Sequence, residues 1–319
     1  RAETRQCCRS CREREVDEVA SRPHAILIVI VDHHCVYVVR RAQSQHSRRG
    51  IRHKRSHVVS TDRWRHEQRC AIESDADGRI TYEADGHVRL IGLDRPAKYN
   101  GFTPKMLREL AQAYTDLEND PDARAAVLFA HGDNFTAGLD LPKVSPLMKE
   151  SGGVFPEGMV DPMDLYPPLR SKPLVTAVRG YCYTIGIELM LAGDIVVAGA
   201  ETRFRQHEGA RGVMAAGGAT VRFHERAGWG NAMRWLLTGD EFDAVEARRI
   251  GFVQEITAPG MDIDRATEIA RTIAAQAPLA TVAMRDNARK AQHEGLPAAI
   301  AEIRPRQQQI MDTEDALEG

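Results

Sequence analysis

From Arg79 to Ile256, short apolar runs that suit buried strands alternate with stretches whose apolar residues recur at helical spacing. Beyond Pro259 only the helical spacing remains. That order leaves few folds. Strands separated by helices pair in parallel within a covered sheet, and trailing helices pack outside it. The expected fold class is α/β with a helical tail. Arg79–Glu83 and His87–Leu93 alternate apolar and polar residues around Asp85-Gly86, a hairpin signal. Thr103-Pro104 offers an N-cap and a first helical residue. Met106, Leu107, Leu110, Ala113, Tyr114 and Leu117 follow on one face. Ala125–Ala130, Pro173–Val178, Asp194–Ala198 and Phe252–Ile256 read as strands. Residues 185–192, 218–227, 231–237 and 244–250 read as helices, as do 262–275, 279–293 and 297–311. Residues 142–172 carry six prolines and read as one irregular loop of the kind that forms lids. Gly180–Thr184 reads as a turn.

The first 75 residues do not share the pattern. They hold 16 Lys+Arg against 10 Asp+Glu and five of the six cysteines, whereas the whole chain has a net charge of −2. Three sharp readings of this segment are weak. Cys8-x-x-Cys11 and His53-x-x-x-His57 stand too far apart for a zinc finger, even with His33, His34 and Cys35 between them. The apolar run Ala25–Val31 has the length of a signal core but no cleavage site after it. The basic stretch Arg48–Arg55 lacks the aromatic residues of a nucleic-acid arm. The segment reads instead as an extension outside the fold, appended to the natural chain or translated from upstream of its start. The expected division is 1–77 as extension, 78–258 as core and 259–319 as a helical region. No apolar run reaches the ~18 residues of a membrane helix, and the charge balance gives no argument for nucleic acid.

Several enzyme classes lose their anchor motif. There is no Gly-x-Gly-x-x-Gly after a strand, no Walker loop and no Gly-x-Ser-x-Gly. Three segments remain that could carry chemistry. Phe135-Thr-Ala-Gly-Leu-Asp140 follows a strand, and its small residues let a ligand approach backbone N–H groups. Arg179–Asp194 feeds a turn into an apolar helix in which Glu188 is the single acid; such a carboxylate is desolvated and is usually paired or functional. Phe204–Gly212 holds Glu208, which a strand, turn and strand could return beside Glu188. Two carboxylates on one pocket can work on the two ends of a C=C bond.

Together with Leu93-Asp-Arg-Pro96, Asn100 and Gly251-Phe-Val-Gln-Glu255, these segments resemble the crotonase (enoyl-CoA hydratase/isomerase) superfamily over about residues 78–317. The resemblance implies a spiral core of repeated ββα turns and a C-terminal helical region that forms trimers or hexamers. It implies an acyl-CoA thioester as substrate, with no metal and no catalytic cofactor. Ala137 and Ile185 fall on the positions whose N–H groups bind the thioester oxygen. Hydratases commonly have Gly at the second, and the bulk of Ile185 would narrow the acyl pocket. Glu188 and Glu208 fall on the two hydratase glutamates; Glu188 is assigned to the attacking water and Glu208 to the proton at C2. Ala97, Lys98 and Tyr99 match the segment along which CoA runs. Leu139 and Asp140 complete the CoA-side strand begun at Ala137 and Gly138, and Gly186 opens the helix beside it. Family chains usually continue past Gly319 into a tail that covers the site. A cytoplasmic location is expected from the lone Cys182 of the core. The activity expected is hydration of a 2-enoyl-CoA. The alternatives are an isomerase or hydrolase of the same superfamily, or a non-catalytic acyl-CoA or RNA-binding member. A dienoyl-CoA isomerase would need a further acid where this chain has Ala216.

Overall fold

The protein is described by a computed structural model, which covers residues 27–30, 36–39, 76–151, 153–313 and 316. The chain divides into two units, Arg1–Glu67 and Gln68–Gly319. In the first, β1 (Leu27–Ile30) and β2 (Val36–Val39) pair antiparallel. The Cys, His and Arg features singled out above lie outside the described residues.

The second unit opens with β3 (Arg79–Asp85) and β4 (Val88–Asp94), followed by α1 (Pro104–Asn119) and β5 (Ala125–Ala130). Next come α2 (Leu141–Ser151), β6 (Leu174–Val178), β7 (Tyr181–Tyr183), α3 (Ile185–Ala192), β8 (Ile195–Gly199) and β9 (Arg203–Arg205). Then follow α4 (Ala219–Ala227), α5 (Trp229–Thr238), β10 (Glu241–Asp243), α6 (Ala244–Arg249) and β11 (Glu255–Thr257). The last three helices are α7 (Asp262–Ala274), α8 (Pro278–His293) and α9 (Leu296–Met311). Six strands form one sheet in the order β11-β8-β6-β5-β4-β3, parallel except for the β3–β4 hairpin. A second sheet has the order β10-β9-β7, with β7 parallel to β9.

Both faces of the four inner strands of the large sheet are buried, as parallel pairing requires, while the edge strands β3 and β11 are only partly covered. Strand alternation sends Ile91, Leu93, Leu128 and Val178 into the core shared with Met106, Leu107 and Leu110 of α1. It sends Leu90, Val127, Val175 and Val197 to the other face, where Ala266, Ala270 and Ala274 of α7 lie close against them. The Thr103 Oγ1 accepts from the Met106 N–H and starts α1 where the sequence places it. All eight residues of α3 are buried, so it is a core helix without a polar face.

Three local expectations change. Residues 142–172 are not wholly irregular, because Leu141–Ser151 forms α2. Pro142 falls in the first turn, where a missing N–H costs nothing, and Ser145 Oγ donates to the Leu141 carbonyl. Tyr181–Tyr183 is a strand rather than a turn, since its partner Arg203–Arg205 comes from 20 residues further along the chain. The last strand is Glu255–Thr257, beyond Phe252 and Val253, which pack into the core without joining the sheet. No described helix is long and apolar enough to cross a membrane.

Candidate active site

Two backbone crossings build the floor of the site. Phe102 bridges Leu139 in parallel, and Thr136 bridges Cys182. The second crossing lays residues 135–138 along β7, which leads directly into α3. Close approach is possible because Gly138 has no side chain: a Cβ there would lie 2.6 Å from Thr184 Oγ1, and its φ of +115° suits glycine alone. Gly186 does the same from the helix side, where a Cβ would lie 2.7 Å from Thr136 Cγ2. Thr184, the N-cap of α3, is itself held at φ +50°, an uncommon conformation for a β-branched residue.

The amide inventory corrects one expectation. The Ala137 N–H is already engaged, donating to the Tyr99 carbonyl at 2.9 Å, and Ala137 is exposed. Among the described residues, the neighbouring N–H groups of Leu139 and Ile185 have no acceptor. Leu139 is free because the Phe102 bridge uses the Gly138 carbonyl and the Asp140 N–H on either side of it. Ile185 is free because it is the first residue of α3, where helical N–H groups lack intrahelical partners. Gly138 packs on Thr184, so the two segments that carry the idle amides, each one residue further on, run side by side. The idle N–H of this loop is therefore that of Leu139 and not that of Ala137.

Glu188 lies in the first turn of α3 and is 5% exposed. Its Oε1 accepts from the Gly217 N–H at 2.7 Å and the Ala219 N–H at 3.3 Å, where α4 begins. Burial pushes its carboxyl up, and the two amides and the Arg222 guanidinium pull it back. Glu208 sits in the 3-10 turn Glu208–Arg211. Its Oε1 accepts from Gln206 Nε2 at 2.9 Å, while its Oε2 is buried with no partner among the described residues. Burial, reinforced by the Glu188 charge, pushes its carboxyl up to about 7. The two acids therefore share one low-dielectric space. One is gripped by amides; the other presents an idle oxygen and holds its proton near neutrality.

The remaining candidates frame this space. Ala97 and Lys98 lie in the exposed 3-10 turn Pro96–Lys98, and Tyr99 closes that turn in a left-handed conformation, 54% exposed. Asn100 ties the turn to the site loop through the His131 and Asn134 carbonyls. Asp140 accepts from Arg95 Nη1 at 2.9 Å, so its carboxylate pins the loop to the same turn. Sequence reasoning missed the contributions of Gln206, Gly217, Ala219 and Arg222. The Gly217-Gly218 pair before a helical stretch was a signal for the helix start; nothing marked Gln206. No group of three or more His, Cys, Asp or Glu side chains that could hold a metal occurs among the described residues.

Comparison with known proteins points the same way. The Enoyl-CoA hydratase/isomerase family model matches residues 83–319. Enoyl-CoA hydratase EchA19 of Mycobacterium tuberculosis is 32% identical over 219 residues, covering 67% of this chain and 81% of the relative. An (E)-benzylidenesuccinyl-CoA hydratase of Thauera aromatica is 29% identical over 75% of this chain and 93% of its own. A crystal structure of a probable enoyl-CoA hydratase/isomerase from Mycobacterium abscessus superposes with a TM-score of 0.72 at 50% identity, covering 75% of this chain and 92% of that one. With its mixed sheet, buried α3 and trailing helices, the chain belongs to the enoyl-CoA hydratase/isomerase family, the crotonase superfamily, and has its fold.

Proposed function

We propose that the protein is an enoyl-CoA hydratase that adds water across the 2,3 double bond of a 2-enoyl-CoA thioester. The observation that carries the reading is the pair of acids without a basic partner in hydrogen-bond contact, Glu188 and Glu208, beside two idle amides. Hydration needs four things at once: a proton acceptor for water, a proton donor for C2, a seat for the negative charge, and exclusion of bulk solvent. The N–H groups of Leu139 and Ile185 receive the thioester oxygen. As the water oxygen bonds to C3, Glu188 takes its proton, and the C2–C3 electron pair moves through the thioester to that oxygen. Preorganised donors act where the charge develops, and losing one costs about 3–4 kcal/mol. The enolate then collapses as Glu208 gives its proton to C2. The product is the 3-hydroxyacyl-CoA, and proton exchange restores the two carboxyls to their starting states.

The division of roles follows the electrostatics. Burial raises the Glu188 carboxyl, but the Gly217 and Ala219 amides that it accepts from work against that rise and suit it to the acceptor's role. Burial and the Glu188 charge keep Glu208 protonated to about pH 7, which suits a donor. The exposed Lys98 stands at the turn along which CoA would run, available to a phosphate. Ile185 contributes only its N–H to catalysis, and its side chain is 3% exposed, turned into the core.

The test is a panel of 2-enoyl-CoA esters assayed with wild type, Glu188→Gln and Glu208→Gln. Each substitution keeps size and hydrogen bonding and removes proton transfer. Each is expected to lower kcat about 10²–10⁴-fold. Variants that turn over like wild type would overturn the assignment.

A further inference from the structure

We propose that Met163 determines acyl specificity: its side chain closes the end of the acyl site beyond Glu188 and restricts the substrate to short 2-enoyl thioesters. The inference rests on the reading of the site as that of a hydratase.

The catalytic groups set a direction. The idle amides of Leu139 and Ile185 receive the oxygen on C1, Glu208 serves C2, and Glu188 serves the water that attacks C3. The rest of the acyl chain leaves from C3, away from the amides. What packs beside Glu188 therefore decides how much chain is accepted, and that neighbour is Met163. A Cβ on Gly217 would lie 2.5 Å from Glu188 Oε2 and 2.9 Å from Met163 Cε. The carboxylate oxygen and the terminal methyl thus border the same small space, which exists because residue 217 has no side chain. Met163 is 4% exposed and belongs to the main core cluster, so an acyl chain that reached past it would meet packed side chains rather than solvent.

The backbone that carries Met163 is fixed at several points. The buried Asp161 carboxylate accepts from the N–H groups of Met163 at 2.9 Å, Leu165 at 2.9 Å and Tyr166 at 3.0 Å. On one side the segment is tied to α1, where Thr115 Oγ1 accepts from the Val160 N–H at 3.0 Å. On the other it is tied to α8, whose Arg285 and Arg289 pair with Asp164 at 3.3 and 3.0 Å. Leu165 continues the wall along the glycine pair, with Cδ2 3.4 Å from where a Cβ on Gly218 would lie. A backbone held this way does not swing aside for a longer chain, so the Met163 side chain alone is left to yield. An unbranched thioether adapts to small differences in shape. Several added methylenes exceed that, because overfilling a packed space forces side chains off their rotamers.

The experiment compares kcat/KM over straight-chain 2-enoyl-CoA esters of four to ten carbons, using the full chain. Wild type is expected to favour the four-carbon ester over the ten-carbon one by about 10²-fold or more. Met163→Ala opens the space and should narrow that ratio by about 10–100-fold, chiefly through a lower KM for the long ester. Met163→Leu refills the space and should return the ratio toward wild type. Met163→Val serves as a second truncation if the Ala form does not fold. A merely structural role would lower turnover of all the esters together and leave the ratio where it was. An unchanged ratio in a folded truncation therefore overturns the proposal, as does a wild type that prefers the ten-carbon ester. A wild type that hydrates none of the esters removes the hydratase reading itself, and the proposal with it.

Discussion

The two ends of α3 carry acids six residues apart that live in opposite surroundings. Just beyond its C-terminal end, Asp194 accepts from Arg170 Nη1 at 2.9 Å and Arg285 Nε at 2.8 Å. Burial alone would raise its carboxyl, but the two guanidinium groups outweigh that and hold it below the ordinary range. Arg170, 1% exposed, also donates to the Ala192 carbonyl and so caps α3 with positive charge where the dipole favours it. Arg285 of α8 reaches the Arg170 carbonyl and docks the C-terminal helices on the core. In the first turn, Glu188 has only amides in hydrogen-bond contact, a guanidinium beyond them, and Glu208 for a neighbour. Acids paired with bases are structural. Glu208, denied that pairing, holds its proton to near neutrality.

That contrast can be broken from either side. The largest effect is expected at the paired end: Arg170→Met takes one of two guanidinium partners from the buried Asp194 and the cap from the Ala192 carbonyl, and should cost about 3 kcal/mol of stability, read by urea unfolding, while kcat of the folded fraction holds. If stability were unchanged, the cluster would not be what ties α8 to the core. At the unpaired end, Gly217→Ala pushes on Glu188 Oε2 without touching any ion pair. It should lower kcat about 10²-fold by displacing the carboxylate, with little change in Tm. The smallest effect concerns Glu208. Its carboxyl titrates near 4.5 in an ordinary setting and near 7 in the folded protein, so the fold binds that proton more tightly than the unfolded chain does. The associated stability is present in acid and is lost as pH rises between those two values. Glu208→Gln has no such loss. Its Tm should therefore gain a few degrees on wild type between pH 5 and pH 8; parallel Tm curves would contradict the shift.

Much of the site was legible because its residues violate local rules. Glu188 stands out as one acid in an apolar helix, and Glu208 as an acid that a strand–turn–strand can return. Legibility failed where a long-range partner decides. Ala137 and Leu139 are two residues apart in the same small-residue loop. What separates them is that the Tyr99 carbonyl, 38 residues upstream, occupies one N–H and leaves the other idle. In the same way, Tyr181–Tyr183 has turn-like neighbours and becomes a strand only because Arg203–Arg205 lies beside it. The helix at Leu141–Ser151 was hidden by prolines that, at Pro142, fall where a helix tolerates them.

Periodicity and local chemistry determined the order of the main-sheet strands, the double-sided burial of its inner strands and the burial of a carboxylate on α3. These depend on side-chain hydrophobicity and turn preference, which each residue carries with it. Tertiary structure alone decided which amides are idle and which acids meet guanidinium groups. Those outcomes depend on what backbone or charge arrives from elsewhere in the chain, and hydrogen bonds and desolvation are properties of the assembled neighbourhood rather than of the residue.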